Sequence, residues 1–136
     1  MSVWYSLVNQ TRREYIAFSH IPAATKRELI GNPVSAAIIS WYLFEYGGDN
    51  IAFVSDTDGV WPFKDGSKRD LIKYRECTDE VVAALVGAEI LRDDGREIFD
   101  EKEPDVFIRR LRCVWMEDSV QLGTQADCSE TEQFKV

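Results

Sequence analysis

Short apolar segments separated by polar residues open the chain and predict an antiparallel hairpin. Residues 3–8 and 14–18 are rich in β-branched and aromatic side chains, and the polar residues 9–13 separate them. Because side chains alternate along a strand, Tyr5 and Leu7 are expected on one face of this hairpin.

Capping residues and apolar patterns predict two helices. Asn32, followed by proline, is typical of a helix start, and Gly47-Gly48 of a helix end, so a helix is expected over about 33–46. Its interior is apolar almost all round, which predicts a core helix covered on more than one side. Thr78, followed by an acidic first turn and an apolar stripe, predicts a second helix that runs to about Ala88.

Three further segments complete the predicted fold. The apolar run 50–55 predicts a strand in the interior of a sheet. Asp94-Gly95 lies between two apolar pairs and predicts a tight hairpin turn. Residues 106–116 are read as a strand with a possible bulge, with a helix as the alternative. The tail from about residue 117 is polar and is expected to be peripheral. The order of elements predicts an α+β fold, with a mainly antiparallel sheet packed against two helices.

Length and composition are those of a globular protein. The chain has 136 residues, which fit one domain spanning residues 1–136, and its 45% apolar and 29% charged residues are sufficient for a packed core. No apolar run approaches the roughly 20 residues that span a bilayer, and the opening residues do not resemble a secretion signal. A cytoplasmic location and no membrane partner are therefore expected.

The net charge constrains the partners that the chain can attract. Acidic residues outnumber basic ones by 24 to 16, giving a formal charge of -8. This field repels nucleic acid and attracts a basic protein, although the same charge also serves solubility. Arg109, Arg110 and Arg112 lie in one predicted strand and are more typical of a solvated sheet face than of a nucleic-acid site.

Asp56 and Asp58 raise the possibility of phosphoryl chemistry. They follow an apolar strand and precede Gly59, an order that looks like the nucleophile motif of the haloacid dehalogenase superfamily. Such an enzyme needs magnesium and a doubly wound parallel sheet, and the segments that follow do not alternate strand and helix as that sheet requires. A small phosphatase-like or metal-dependent hydrolase using Asp56 and Asp58 is thus the alternative function, and a polar turn is the preferred interpretation.

Other catalytic signatures are not evident in the sequence. His20 is the only histidine, and it lies in a predicted loop beside a proline. The three cysteines, Cys77, Cys113 and Cys128, have neither metal-binding spacing nor an even number that would suggest a disulfide framework. Without a glycine-rich phosphate loop or a nucleophile-elbow motif, we expect a non-enzymatic protein that carries no cofactor and no metal.

Aromatic residues among carboxylates predict a recognition surface. Trp61 and Phe63 follow Asp58 directly after the predicted third strand, and aromatic residues are enriched at the centres of interfaces. We therefore predict a contact loop of Asp56, Asp58, Trp61 and Phe63, joined by Asp93 and Asp94. The alternative is that Trp61 and Phe63 fold back and cover the core.

The opening of the chain also carries a resemblance. Residues 5–16, with the order Tyr-x-Leu-Val-Asn-x-Thr-x-x-Glu-Tyr, look like a pattern of small uncharacterised proteins, which also carry segments similar to 48–56 and 78–81. In their size, acidity and lack of catalytic motifs these proteins resemble immunity proteins, which block a cognate toxin by direct binding. The resemblance implies an acidic binding module whose expected partner is a basic toxin domain.

Overall fold

The computed structural model describes residues 3–21, 23–57 and 60–114. Asp58 and the tail from about residue 117, for which the sequence made predictions, lie outside the described residues.

Six strands, three α-helices and one 3-10 helix make up the described part of the chain. In chain order they are β1 (Tyr5–Asn9), β2 (Glu14–Ala17), α1 (Lys26–Gly31), α2 (Pro33–Glu45), β3 (Ile51–Ser55), the 3-10 helix (Lys68–Lys73), β4 (Arg75–Glu76), α3 (Thr78–Gly87), β5 (Leu91–Ile98) and β6 (Phe107–Cys113). None of these helices is long and apolar enough to cross a membrane.

The strands form one sheet of four and one of two. The first sheet has the order β3-β1-β2-β4, and the second pairs β5 with β6. All pairs are antiparallel except the short β2–β4 pair, so the predicted α+β fold with a mainly antiparallel sheet is confirmed. The expectation that the third strand is interior is wrong, since β3 lies at an edge of this sheet and, among the described strands, pairs with β1 alone.

The first sheet has apolar cover on both faces, which explains why β3 reads as a continuous apolar run. On one face Leu7 and Ile16 pack with Ile38 of α2 and with the buried side of α3. On the other face Val8 and Val54 pack with Phe63, with which Trp61, Leu71 and Tyr74 are in contact. An edge strand covered on both faces has the same apolar pattern as an interior strand.

Helix α2 begins where its cap predicts, but it is less covered than expected. The side-chain oxygen of Asn32, Oδ1, accepts hydrogen bonds from the backbone N–H groups of Val34 (2.8 Å) and Ser35 (3.4 Å). Ile38 is fully buried, whereas Phe44 is 88% exposed. The predicted cover on more than one side therefore does not extend to Phe44, near the end of the helix.

A short helix before α2 was not expected from the sequence. Its N-cap, Thr25, accepts a hydrogen bond from the N–H of Glu28, and the Glu28 carboxylate accepts one from the N–H of Thr25. This reciprocal capping box identifies α1, and its signature can be read in the sequence as Thr-x-x-Glu.

The segment Asp94-Gly95 forms a bulge inside β5 and not the predicted hairpin turn. The register with β6 shifts between Asp93 and Arg96, so that two residues of β5 oppose Arg110 alone. Gly95 has φ +99°, and its N–H donates to the Asp93 carboxylate at 2.9 Å. A hairpin turn and a bulge both favour glycine in this conformation, so the pair Asp94-Gly95 is compatible with either structure. The prediction of a strand within residues 106–116 is confirmed over Phe107–Cys113, and residues 115–116 lie outside the described residues.

Candidate functional site

Asp56 directly follows β3 and forms hydrogen bonds with Trp4, the residue before β1. Its carboxylate Oδ1 accepts a hydrogen bond from the Trp4 N–H at 3.0 Å, and its own N–H donates to the Trp4 carbonyl at 2.9 Å. These two contacts extend the β1–β3 ladder by one residue pair. The carboxylate therefore lies at the end of an antiparallel edge strand, and Asp58 lies outside the described residues.

The two aromatic residues of the predicted contact loop have different environments. The Phe63 side chain is buried against Val8 and Val54, in agreement with the alternative that it covers the core. Trp61 is half-buried, its ring centroid lies 5.0 Å from that of Phe63, and its Nε1 donates to the Asp65 carbonyl at 2.8 Å. Phe63 is consequently not accessible to a partner, whereas Trp61 has an exposed part.

Asp93 and Asp94 lie on the other sheet, at the β5 bulge. Their carboxylates pair with arginines of β6, Asp93 with Arg109 at 3.4 Å and Asp94 with Arg112 at 3.6 Å. Arg109 also pairs with Asp79 at 2.8 Å. Arg110 and Arg112 keep exposed side chains, as predicted for a solvated sheet face, whereas the Arg109 side chain is only 17% exposed. Asp93 and Asp94 belong to the β5–β6 hairpin.

Groups that catalysis commonly uses are held in structural roles. Burial raises the pKa of the Cys77 thiol to about 12, with a further contribution from the Glu14 carboxylate, so the thiol stays protonated at neutral pH. The His20 ring stacks on Phe107 at 3.8 Å, and its Nδ1 lies 3.1 Å from the Phe107 carbonyl. Within the described ranges, no group of three histidine, cysteine or acidic side chains is placed to hold a metal ion.

The buried carboxylate of Glu14 is satisfied by the protein itself. Tyr42 Oη donates to its Oε2 at 2.6 Å and Arg75 Nη2 to its Oε1 at 2.9 Å. Asn9 Nδ2 donates in turn to Tyr42 Oη at 3.0 Å and to Asp49 at 2.9 Å. These partners come from strands of the same sheet and from α2 and the turn that follows it, so the network links α2 to the sheet.

A second group of apolar residues among carboxylates lies at the end of the β5–β6 hairpin. We call residues 98–106 the acidic tip. Three of its apolar side chains are exposed, Ile98 by 47%, Phe99 by 62% and Val106 by 56%. Around them stand four exposed carboxylates against a single lysine, Lys102: Asp100, Glu101, Glu103 and Asp105.

Local hydrogen bonds give the acidic tip a defined backbone. The Lys102 N–H donates to the Asp100 carboxylate at 2.9 Å, the Glu103 N–H to the Asp100 carbonyl at 2.9 Å, and the Val106 N–H to the Glu103 carbonyl at 3.1 Å. In addition, Arg96 lies 4.4 Å from the centroid of the Phe107 ring at the base of the hairpin. The sequence signal was present as two apolar pairs around an acidic run, but their exposure depends on how β5 and β6 pair.

An apolar groove lies between the helices and the free edge of the first sheet. Its volume is about 480 Å³. Its lining comes from β1, β3, α1 and α2: Tyr5, Lys26, Leu29, Ile30, Ala36, Ile39, Ser40 and Phe53. Large apolar surfaces that are open to solvent mark interaction sites more often than scattered single residues do.

Comparison with known protein families, curated proteins and solved structures found no match to this chain. The resemblance of residues 5–16 to small uncharacterised proteins therefore stays a prediction.

Proposed function

We propose that the protein is a non-catalytic binding module of the immunity type, which neutralises a cationic toxin by direct contact through its acidic tip. The observation that carries this proposal is the group of three exposed apolar side chains among four carboxylates at the end of a hairpin. The predicted combination of aromatic and acidic residues thus recurs on β5–β6, on the same hairpin as Asp93 and Asp94.

The two kinds of side chain at the tip would contribute differently to binding. Phe99 is an aromatic anchor, and such residues supply most of the binding energy when they enter a pocket of the partner. The carboxylates, together with the net charge of -8, would accelerate the encounter with a cationic surface and disfavour acidic partners. A toxin that cleaves nucleic acid has a cationic active site, and an acidic hairpin that covers it would exclude the substrate.

The state of the potential catalytic groups supports a binding role. The Cys77 thiol is buried and protonated, and His20 is packed against Phe107. Asp56 bonds to Trp4 at the end of β3, in a mainly antiparallel sheet whose topology differs from the doubly wound sheet that the phosphatase alternative needs.

The test begins with a partner recovered from the source cell on immobilised protein and identified by mass spectrometry. Association and dissociation rates are then measured at low and high salt for wild type, Phe99→Ala and Glu103→Lys. We expect Phe99→Ala to accelerate dissociation, equivalent to about 2 kcal/mol if it is a hot spot, and Glu103→Lys to slow association and reduce its salt dependence.

The matched control is Ile72→Ala, because Ile72 is 88% exposed but lies on the 3-10 helix. This variant should bind and inhibit the partner like wild type. If both tip variants keep wild-type rates and full inhibition of the partner, the acidic tip is not the contact surface. If the partner is not inhibited by wild-type protein, the immunity-type function itself is wrong.

A further inference from the structure

The outer edge of β3 offers backbone groups that no strand in the described ranges 3–21, 23–57 and 60–114 uses. The Gln10 N–H donates to the Asn50 carbonyl, and the Asp56 N–H donates to the Trp4 carbonyl. The backbone N–H and C=O groups of the even-numbered residues of β3 therefore point toward β1. Because bonding direction alternates along an antiparallel strand, the N–H and C=O groups of Ile51, Phe53 and Ser55 point away from β1. They form the open side of the sheet.

Within β3 itself, the features that usually prevent edge pairing are absent. Its residues, Ile-Ala-Phe-Val-Ser, include no charge and no proline, and the register with β1 is uninterrupted. Natural edge strands are normally protected by lysine, proline, a bulge or a covering element. Phe53, in the middle of the strand, is 39% exposed. The edge is therefore chemically suited to accept another strand.

The apolar groove lies beside this edge, on the face of the sheet that carries the helices. Phe53 and Tyr5 line it from the sheet, with ring centroids 6.2 Å apart, and Ile30 and Ile39 line it from the helices. A strand added to β3 would place every second side chain in this groove. Further along α2, Phe44 lies one turn beyond Ser40 of the groove and extends the exposed apolar surface.

We propose that β3 pairs with β3 of a second copy of the chain, in an antiparallel arrangement with a two-fold axis at Phe53. In this register Phe53 faces its own counterpart, and Ile51 faces Ser55 of the second copy. These are the residues whose backbone groups point outward, so each pair would exchange two N–H···O=C bonds. The two sheets would then form one continuous sheet with the helices of both copies on the same face.

Self-pairing in this register would fill the apolar groove and would avoid repulsion between like charges. The Phe53 ring of each copy would enter the groove of the other. At the ends of the strand, Asp56 falls opposite Asn50, and Asp49 opposite Thr57, so no two carboxylates face each other across the axis. The uncharged strand and its symmetric flanks favour a second copy as the occupant over a strand of a different protein.

The exposed apolar surface is sufficient for a weak dimer. Phe44 is 88%, Ile30 72% and Phe53 39% exposed, so these side chains together can bury a few hundred Å² per copy at most. Stable interfaces typically bury about 800 Å² per partner. We therefore expect association in the micromolar range, in rapid exchange with monomer. The acidic tip belongs to the other sheet, so this inference does not depend on the proposed function.

The test measures the mass of the full chain in solution by light scattering and sedimentation from low micromolar to millimolar concentration. Wild type should shift from monomer to dimer as the concentration rises. Phe53→Lys should stay monomeric, and Phe44→Lys, altered at an exposed helix position that cannot disturb the sheet, should dimerise at least tenfold more weakly. Ile72→Lys, which adds the same charge at an exposed residue of the 3-10 helix, should dimerise like wild type.

Amide hydrogen exchange tests the pairing itself. In the dimer, the amides of Ile51, Phe53 and Ser55 should become protected as concentration rises, whereas those of Ala52 and Val54 bond to β1 and should be protected throughout. A wild-type protein that is monomeric at every concentration overturns the proposal, as does a dimer in which the three outward amides stay unprotected. Their protection only on addition of a different protein would assign the edge to a foreign strand and also overturn it.

Discussion

Removing the hydroxyl of Tyr42 tests whether the buried Glu14 network stabilises the fold. In Tyr42→Phe the ring remains and only the oxygen is lost. That oxygen donates to Glu14 at 2.6 Å and accepts from Asn9 at 3.0 Å, at a position where both Tyr42 and Glu14 are buried. The change therefore separates hydrogen bonding from packing.

The expected cost follows from what each partner retains. Glu14 keeps its ion pair with Arg75, and Asn9 keeps its hydrogen bond to Asp49, so neither group is fully stranded. Glu14 Oε2 nevertheless loses its donor in a buried position. Because hydrogen bonds to charged groups contribute about 1.5–3 kcal/mol, we expect Tyr42→Phe to lower the free energy of unfolding by about 2–3 kcal/mol.

The assay is urea unfolding followed by circular dichroism, since urea does not screen the ion pair as guanidinium would. Tyr46→Phe is the control, because the Tyr46 ring contacts that of Tyr42 at 4.7 Å but is only half-buried. It should change stability by less than about 0.5 kcal/mol.

A double-mutant cycle with Glu14→Gln completes the measurement. Removing the hydroxyl should cost less when the carboxylate is already neutral, giving a coupling energy of about 1 kcal/mol or more. A loss below about 0.5 kcal/mol for Tyr42→Phe, with an unchanged urea dependence, would refute a stabilising role for the network.

Three further predictions concern separate parts of the fold. Because burial raises the pKa of the Cys77 thiol to about 12, its contribution to stability should be complete below about pH 9 and be lost as pH rises toward about 12. The free energy of unfolding measured in urea should fall in that window by up to about 1.4 kcal/mol per pH unit, and by less in Cys77→Ala. Phe63→Ala should cost about 3–5 kcal/mol in the same unfolding assay, whereas Trp61→Ala should cost clearly less; equal costs would contradict the burial difference. Gly95→Ala should destabilise by about 1–2 kcal/mol, because alanine is strained at φ +99°, and an unchanged melting temperature would argue against the bulge.

Local signals predicted the parts of the fold that local interactions determine. Helix α2 could be placed from Asn32 and the following proline because a cap and its helix are neighbours in the chain. The opening hairpin was predicted for the same reason. By contrast, the position of β3 in the sheet depends on which strands approach it, and that information is spread over β1 and the segment that carries Phe63.

The candidate site shows the same division. The sequence predicted that aromatic and acidic residues would occur together, but the burial of Phe63 depends on contacts with Val8 and Val54, far away in the chain. The acidic tip could have been noticed as Phe99 beside an acidic run. Its exposure required knowing that β5 continues through Gly95 and pairs with β6, which moves the hairpin loop to residues 99–106.

If the acidic tip binds a partner and β3 pairs with a second copy, each dimer carries two tips. Binding to a dense layer of immobilised partner would then be bivalent, and the second contact would form at high effective concentration. We expect wild type to dissociate at least tenfold more slowly from a dense layer than from a sparse one, when it is applied at concentrations that favour the dimer. Phe53→Lys should dissociate at the same rate from both layers, and at the wild-type rate from the sparse layer, because its tip is intact. Equal density dependence in wild type and Phe53→Lys would show that the edge of β3 contributes nothing to binding.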